Sequence, residues 1–519
     1  MALARTYAVA LAGVHGHVVE VEADIENGLV ALMLVGLPDT ALREARDRIR
    51  SAIVNSQQSW PMRRITVGLS PASLPKRGSG FDAAIAIAIL SADGSIPKDR
   101  LAGTVFIGEL GLDGRLRPVP GVLPCIAAAA TAGFERAVVP VENAAEARLV
   151  PGMQIVSAPT LAALISWLRG DQDAGSDSEV VVVDSGAGLA PATGPREPAV
   201  GRDLADVVGQ PVARRAAEIC AAGGHHMLLL GSPGVGKTML AERLPTIMPP
   251  LEAAAALEVS AIHSVAGALR PDRPLMTEPP FCAPHHTATK AAIVGGGSGI
   301  IRPGAASLAH HGCLFLDEAP EFDRDVLDAL RQPLESGEIV IARSGLTARF
   351  PARFTLVLAA NPCPCARTAE AGAGCTCTPL ARRRYLARLS GPLLDRVDVK
   401  VQLLPVGRAE LLSDRRLAET SAVVAARVQD ARSRAARRLA GTKWRLNAEI
   451  PGSVLRRSFR PAAGALVPLE RAMDRGQISA RGADRILRMS WTLADLAGEP
   501  RPRLAEVGAA LGLWLGSGL

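Results

Sequence analysis

Residues 231–238 read Gly-Ser-Pro-Gly-Val-Gly-Lys-Thr, a stretch whose glycines let a backbone curl tightly around an anion. It follows the apolar run Met227-Leu228-Leu229-Leu230 and opens a helix-compatible segment from Thr238 to Leu244. A strand feeding such a turn and then a helix aims backbone N–H groups and the helix's positive end at one phosphate group. Gly231, Ser232, Pro233, Gly234, Val235 and Gly236 form the expected cradle; Lys237 is expected on the β- and γ-phosphates and Thr238 on Mg²⁺.

Two more apolar runs end in polar groups. Gly312-Cys-Leu-Phe-Leu-Asp317-Glu318 delivers two carboxylates, Asp317 suited to hold Mg²⁺ through water and Glu318 to polarise an attacking water. Phe354-Thr-Leu-Val-Leu-Ala-Ala360 ends at Asn361, an amide able to orient that water and sense the γ-phosphate. Three strands that each deliver a phosphate- or water-handling group describe one constellation, with ATP and Mg²⁺ as its expected cofactors.

The 519 residues allow two or three domains. Residues 171–201 are rich in Gly, Ser, Asp, Pro and Ala and read as a flexible linker, in which Val180–Val183 can pair as an edge strand. Ahead of it, residues 1–170 carry strand signals at Tyr7–Leu11, Val18–Ala23, Val30–Val35, Arg64–Gly68, Val105–Leu110 and Ala137–Pro140. Helix signals fall at Thr40–Ser56, Phe81–Leu90, Leu123–Ala132 and Leu161–Leu168, so an α/β sandwich is expected. Behind the linker, 202–405 reads as a P-loop domain with a parallel sheet, and 406–519 as a C-terminal helical lid. No run approaches membrane-span length and the first residues lack a signal-peptide core, so a cytoplasmic protein without membrane contact is expected.

The net charge of +7 is lopsided. Pro379–Arg503 holds 24 Arg and 2 Lys against 12 acidic residues, a balance of +14, which leaves −7 elsewhere. Such a basic third points to a polyanion partner or an inter-subunit nucleotide site, the alternative being solvated helix faces. Aromatics are too scarce there for base stacking.

Further stretches carry a resemblance. They are Asp206-Val-Val-Gly-Gln210, Ala283-Pro-His-His-Thr287, Leu308-Ala-His-His-Gly312, Leu330-Arg-Gln-Pro-Leu-Glu-Ser-Gly-Glu338, Leu389-Ser-Gly-Pro-Leu-Leu-Asp-Arg-Val-Asp398 and Ser479-Ala-Arg481. Together with the P-loop they resemble AAA+ ATPases of the magnesium-chelatase-like branch, most closely the YifB/ComM family, which is linked to competence and DNA branch migration. The resemblance covers essentially the whole chain. It implies Arg396 as an arginine finger supplied in trans, worth about 10³-fold or more in rate. It implies Arg481 as a sensor arginine reaching the γ-phosphate of its own subunit from the lid, and a homo-oligomeric ring, a hexamer. A β-hairpin at Gly337–Phe350 is similar to one that grips DNA in related motors, which makes Arg343 and Arg349 candidates for phosphate contacts; solvent-facing arginines are the alternative.

The N-terminal part resembles the fold shared by Lon-type proteolytic domains and the second domain of ribosomal protein S5. In that register Gly80 stands where the nucleophilic serine belongs, Ser79 falls one place early, and Pro120–Ile126 holds no lysine. Nucleophilic catalysis needs a hydroxyl beside a base, so this domain is expected to be proteolytically inactive. The implied activity is an ATP-driven ring motor on branched or single-stranded DNA. A magnesium-chelatase-type motor subunit and a protein-remodelling ATPase are the alternatives.

Eight cysteines are too few and too scattered for a disulfide scaffold. Cys125, Cys220, Cys282 and Cys313 read as small core residues. Cys363-x-Cys365 and Cys375-x-Cys377, directly after Asn361, offer two thiolate pairs for a tetrahedral Zn²⁺, a redox pair or plain loop cysteines being the alternatives. His285-His286 and His310-His311 are expected to point to opposite sides of strands, which disfavours a two-metal centre.

Overall fold

The computed structural model describes residues 2–36, 40–76, 78–171, 180–185, 201–297, 301–343, 346–365, 375–407 and 418–516; most of the expected linker lies outside the described residues. Two sheets organise the chain. The first has eight strands: β1 (Ala2–Ala12), β2 (His15–Glu26), β3 (Ala31–Val35), β4 (Arg64–Ser70), β5 (Thr104–Phe106), β8 (Arg136–Pro140), β9 (Gln154–Ala158) and β10 (Val181–Asp184). β6 (Glu109–Leu110) and β7 (Leu116–Arg117) pair separately.

The spatial order of the large sheet is β10-β9-β8-β5-β1-β2-β4-β3. Alternation along β1 puts Ala4, Ala8 and Ala10 into one core and Val9 into another, so both faces are covered. On one face the helix Asp82–Ala92 is buried along its whole length, between β1 and β2 and the helix Thr40–Asn55. A helix apolar on every side has to sit inside a stack of layers, and this one does. The six expected strands are present, with Val105–Leu110 broken into β5 and β6. β9 was not read from sequence: Ile155 and Val156 are too short an apolar run to tell strand from loop. The edge pairing of the linker valines is observed, Val181 to Ser157 through Asp184 to Gln154.

The second sheet holds β11 (Met227–Leu230), β12 (Phe281–Cys282), β13 (Cys313–Leu316), β16 (Thr355–Ala360) and β17 (Val399–Gln402) in the order β12-β13-β16-β11-β17, every pair parallel. The hairpin β14 (Glu338–Arg343) and β15 (Leu346–Pro351) stands apart from it. Met227, Leu229, Phe315, Val357 and Val399 point to one core, and Leu228, Leu314, Leu316, Leu356 and Leu358 to the other. Burial on both faces explains why these strands are unbroken apolar runs. The C-terminal helices Ser421–Arg438, Ala480–Ala497 and Leu504–Leu515 share the first of these cores, so this helical part is packed on the sheet. The last helix packs on β17, with Lys400 Nζ 4.5 Å from the centre of the Trp514 ring.

That packing consumes much of the basic third. Arg427 pairs with Glu218 and Glu419, Arg438 with Asp495, and Arg485 with Asp398, while Arg432, Arg434 and Arg488 donate to the carbonyls of Ala221, Asp495 and Ile450. These arginines hold helices together and are not free for a polyanion.

Where β17 begins, fully buried Asp398 accepts from Arg485 at 2.7 Å, and His225 lies between it and Thr492. The adjacent His226 uses Nδ1 to accept the Leu356 N–H at 3.0 Å, which requires a neutral ring. Burial, opposed by Asp398, pushes the His226 imidazole down to about 4. The unfolded chain therefore takes up this proton first, and stability contributed by neutral His226 is lost as pH falls from about 6.5 towards 4. His226→Asn keeps an acceptor and cannot titrate. Melting curves between pH 7.5 and 5 should show a steeper acid loss in the wild type than in the variant.

Candidate nucleotide site

Register alone assembles the site. Leu230 pairs with Ala360, so the residues that follow, Gly231 and Asn361, leave the sheet side by side. Cys282 pairs with Leu314, so four residues further on His286 arrives beside Glu318. All of these groups hang from the C-terminal edges of parallel strands, near β11, the place where ligands bind in open α/β sheets.

The 231–238 turn caps the helix Lys237–Ile247 through Gly236, whose φ of +93° is costly for any residue with a Cβ. Lys237 is 8 % exposed, and burial lowers its pKa against the pull of Asp317 and Glu318. Its Nζ donates to the carbonyls of Gly231 (2.6 Å) and Ser232 (2.9 Å) and to Asn361 Oδ1 (3.0 Å). Thr238 Oγ1 donates to Asp317 Oδ2 at 2.7 Å. Lys237, Thr238, Asp317 and Asn361 thus form one connected set, and Glu318 flanks it. A hydroxyl and a carboxylate in contact fit Mg²⁺ held by one or two protein oxygens and completed by water and phosphate.

Glu318 sits at φ +50°, a strained backbone for a non-glycine residue, and its N–H donates to Asp317 Oδ1 at 2.9 Å. Its Oε2 lies 3.2 Å from His286 Nδ1. This histidine is the functional neighbour that sequence reasoning missed. The signal was present in the Ala283–Thr287 stretch but needs the β12–β13 register to be read. The expectation of opposed histidines on strands is also corrected: neither pair lies in a strand, and the rings sit side by side, with centres 4.2 Å apart for His285–His286 and 4.1 Å for His310–His311. His310 and His311 both reach Glu258, at 3.2 and 3.4 Å. A metal there is disfavoured, because His310 Nδ1 accepts the Arg353 N–H and its Nε2 must carry the proton given to Glu258.

Arg396 and Arg481 lie elsewhere. Arg396 precedes β17 by three residues, at the N-terminal edge of the sheet, with at least about 10 Å of strand between it and the phosphate loop. It is 8 % exposed, pairs with Glu335 and donates to the Pro392 carbonyl. Burial and the nearby Arg331, Arg485 and Arg481 lower its pKa. Arg485 donates to the Arg396 carbonyl at 3.0 Å, and Arg481 is one turn earlier on the same helix face. The expectation that Arg481 reaches its own subunit's γ-phosphate does not fit this placement, since it shares the Arg396 side of the sheet.

In the hairpin, Arg343 is exposed, whereas Arg349 is paired with Glu338 at 3.0 Å. Ala348 and Phe350 pack with Val265, Ile301, Leu11 and Val14, so the hairpin is docked on the first sheet's β1–β2 turn. Gly13 permits this approach: a Cβ there would lie 2.3 Å from the Arg349 carbonyl oxygen. In the Lon-like segment Ser79 Oγ donates to Glu109, and the Lys76 ammonium donates to the Pro71 carbonyl, so neither forms a serine–lysine pair. The Cys363, Cys365, Cys375 and Cys377 sulfurs all lie within 4.8 Å of one another.

Comparison with known proteins gives a consistent result. The family descriptions "Magnesium chelatase, subunit ChlI", "Subunit ChlI of Mg-chelatase" and "Magnesium chelatase, subunit ChlI C-terminal" match residues 203–411, 21–143 and 418–513. An uncharacterized protein of Mycobacterium tuberculosis is 52 % identical over 98 % of each chain. Competence protein ComM of Haemophilus influenzae is 42 % identical over 98 % of this chain and 97 % of its own. Uncharacterized protein YifB of Escherichia coli is 39 % identical over 96 % and 94 %.

The geometry separates binding from turnover. Lys237→Ala should abolish retention of a fluorescent ATP analogue. Glu318→Gln should bind it within about threefold of wild type while hydrolysis falls at least about 100-fold. His286→Ala should lower kcat with KM nearly unchanged, because it holds Glu318 and touches no phosphate-binding group; steady-state kinetics of the three variants checks this.

Proposed function

The chain belongs to the YifB/ComM family of magnesium-chelatase-like AAA+ ATPases, and from that premise we propose that it is an ATP-hydrolysing ring motor that acts on DNA. The observation that carries the ATPase reading is the convergence of Lys237, Thr238, Asp317, Glu318 and Asn361 on one sheet edge. The 231–238 loop would hold ATP, and Thr238 and Asp317 would hold its Mg²⁺, which would neutralise phosphate charge. Glu318, held by His286, would polarise the attacking water, and Asn361 would orient that water and sense the γ-phosphate. Arg396 completes the site of a neighbouring subunit, and Arg481, on the same side, joins it there rather than serving its own subunit. Both assignments demand a closed assembly, for which a hexamer is the working stoichiometry.

DNA as the track is supported by membership of a family linked to competence and by the exposed arginines Arg343 on the hairpin and Arg383 and Arg384 after the cysteines. Residues 1–170 are read as a proteolytically silent platform, 202–405 as the motor core and 406–519 as its lid. A chelatase-type motor subunit is the second reading, favoured by the descriptions of all three matching families.

ATPase rates without DNA and with single strands, duplex and a four-way junction decide between these. The DNA motor predicts stimulation, strongest on the junction and absent in Lys237→Ala. Because phosphate contacts carry DNA binding, the stimulation should fade between 50 and 200 mM salt, on the order of tenfold or more. A rate indifferent to every DNA would favour the chelatase-type role.

A further inference from the structure

Immediately beyond Asn361, Cys363 and Cys365 meet Cys375 and Cys377, and the four sulfurs converge. Cys363 Sγ lies 3.2 Å from Cys365 Sγ and 3.3 Å from Cys375 Sγ, and Cys365 and Cys375 are 3.5 Å apart. A disulfide would bring two sulfurs to about 2 Å and leave the others aside. Four mutually close sulfurs instead approach the cage of a tetrahedral thiolate site, where a metal–sulfur bond of about 2.3 Å sets sulfurs about 3.8 Å apart.

The surroundings suit such a site. The Cys377 N–H faces the Cys375 sulfur and the Cys365 N–H the Cys377 sulfur. The Arg382 guanidinium bonds to Cys375. Backbone and arginine donors to sulfur offset the surplus negative charge of four thiolates on one divalent ion, the usual outer support of a metal site. Soft sulfur donors in a closed set of four select zinc over magnesium or calcium and leave no open position for substrate, so the role is structural.

The geometry points to a structural zinc ion held by Cys363, Cys365, Cys375 and Cys377. It joins Cys363 and Cys365 to Cys375 and Cys377 and thereby fixes the end of β16. The following chain is anchored there as well: Thr378 caps the helix Pro379–Leu386, and the Asn361 N–H faces the Tyr385 hydroxyl. The zinc thus clamps the strand tip that presents Asn361 to Lys237, a coupling that rests on the ATPase reading.

The test is elemental analysis of the untagged full-length protein purified without added metal. About one zinc per chain is expected, falling below about a tenth in Cys363→Ser and in Cys375→Ser and unchanged in Lys237→Ala. Should the cysteine variants not fold, mercurial titration of native wild type still decides, since one zinc should be released per about four thiols. Iron with a visible absorption band, or a zinc-free chain with reactive thiols or disulfides, overturns the site. A zinc-free chain with full ATPase activity defeats only the metal site, whereas a zinc-loaded chain without ATPase activity defeats only the nucleotide reading.

Discussion

Lys237 is a buried ammonium, and a buried ammonium has to be surrounded by oxygen. The oxygens it finds are two carbonyls of its own loop and the amide of Asn361, which arrives from a strand more than a hundred residues away. That contact ties the P-loop to β16, while Thr238 ties it to β13 through Asp317. A phosphate entering the loop would compete for the lysine with Asn361, which would tie occupancy to the tip of β16. The strained Glu318 and its neighbour His286 are placed by the same sheet.

The parallel sheet also imposes a division. Groups after the strands gather at one edge and groups before them at the other, separated by at least about 10 Å of strand. Arg396, anchored with Asp398 and Arg485 at the entry to β17, cannot serve the loop at the exit of β11 in the same chain. If it serves any nucleotide it serves a neighbour's. Asp398, His225, Arg485 and Thr492 make that entry a buried polar junction between sheet and C-terminal helices, which couples the helical part to whatever Arg396 contacts.

The site was legible where its chemistry is written in consecutive residues. Gly231–Thr238, Asp317-Glu318 and Asn361 each sit at the end of an apolar run, and the run fixes which way they point. His286 was illegible as a partner because its meaning depends on the Cys282–Leu314 register, and no local pattern encodes a register between strands thirty residues apart. The placement of Arg481 was illegible for a related reason: a helix face is readable, but the side of the sheet on which it docks is decided by Arg485 finding Asp398. Net charge misled in part, because guanidinium groups that staple helices and those that await a polyanion count alike in a composition.

The most direct test of the divided site is subunit mixing. Arg396→Ala and Lys237→Ala chains should each lose nearly all ATPase activity, and an equimolar mixture should recover about a quarter of the wild-type rate, since a quarter of randomly formed interfaces pair an intact loop with an intact finger. A mixture as inactive as either variant at every ratio would contradict a site shared between subunits.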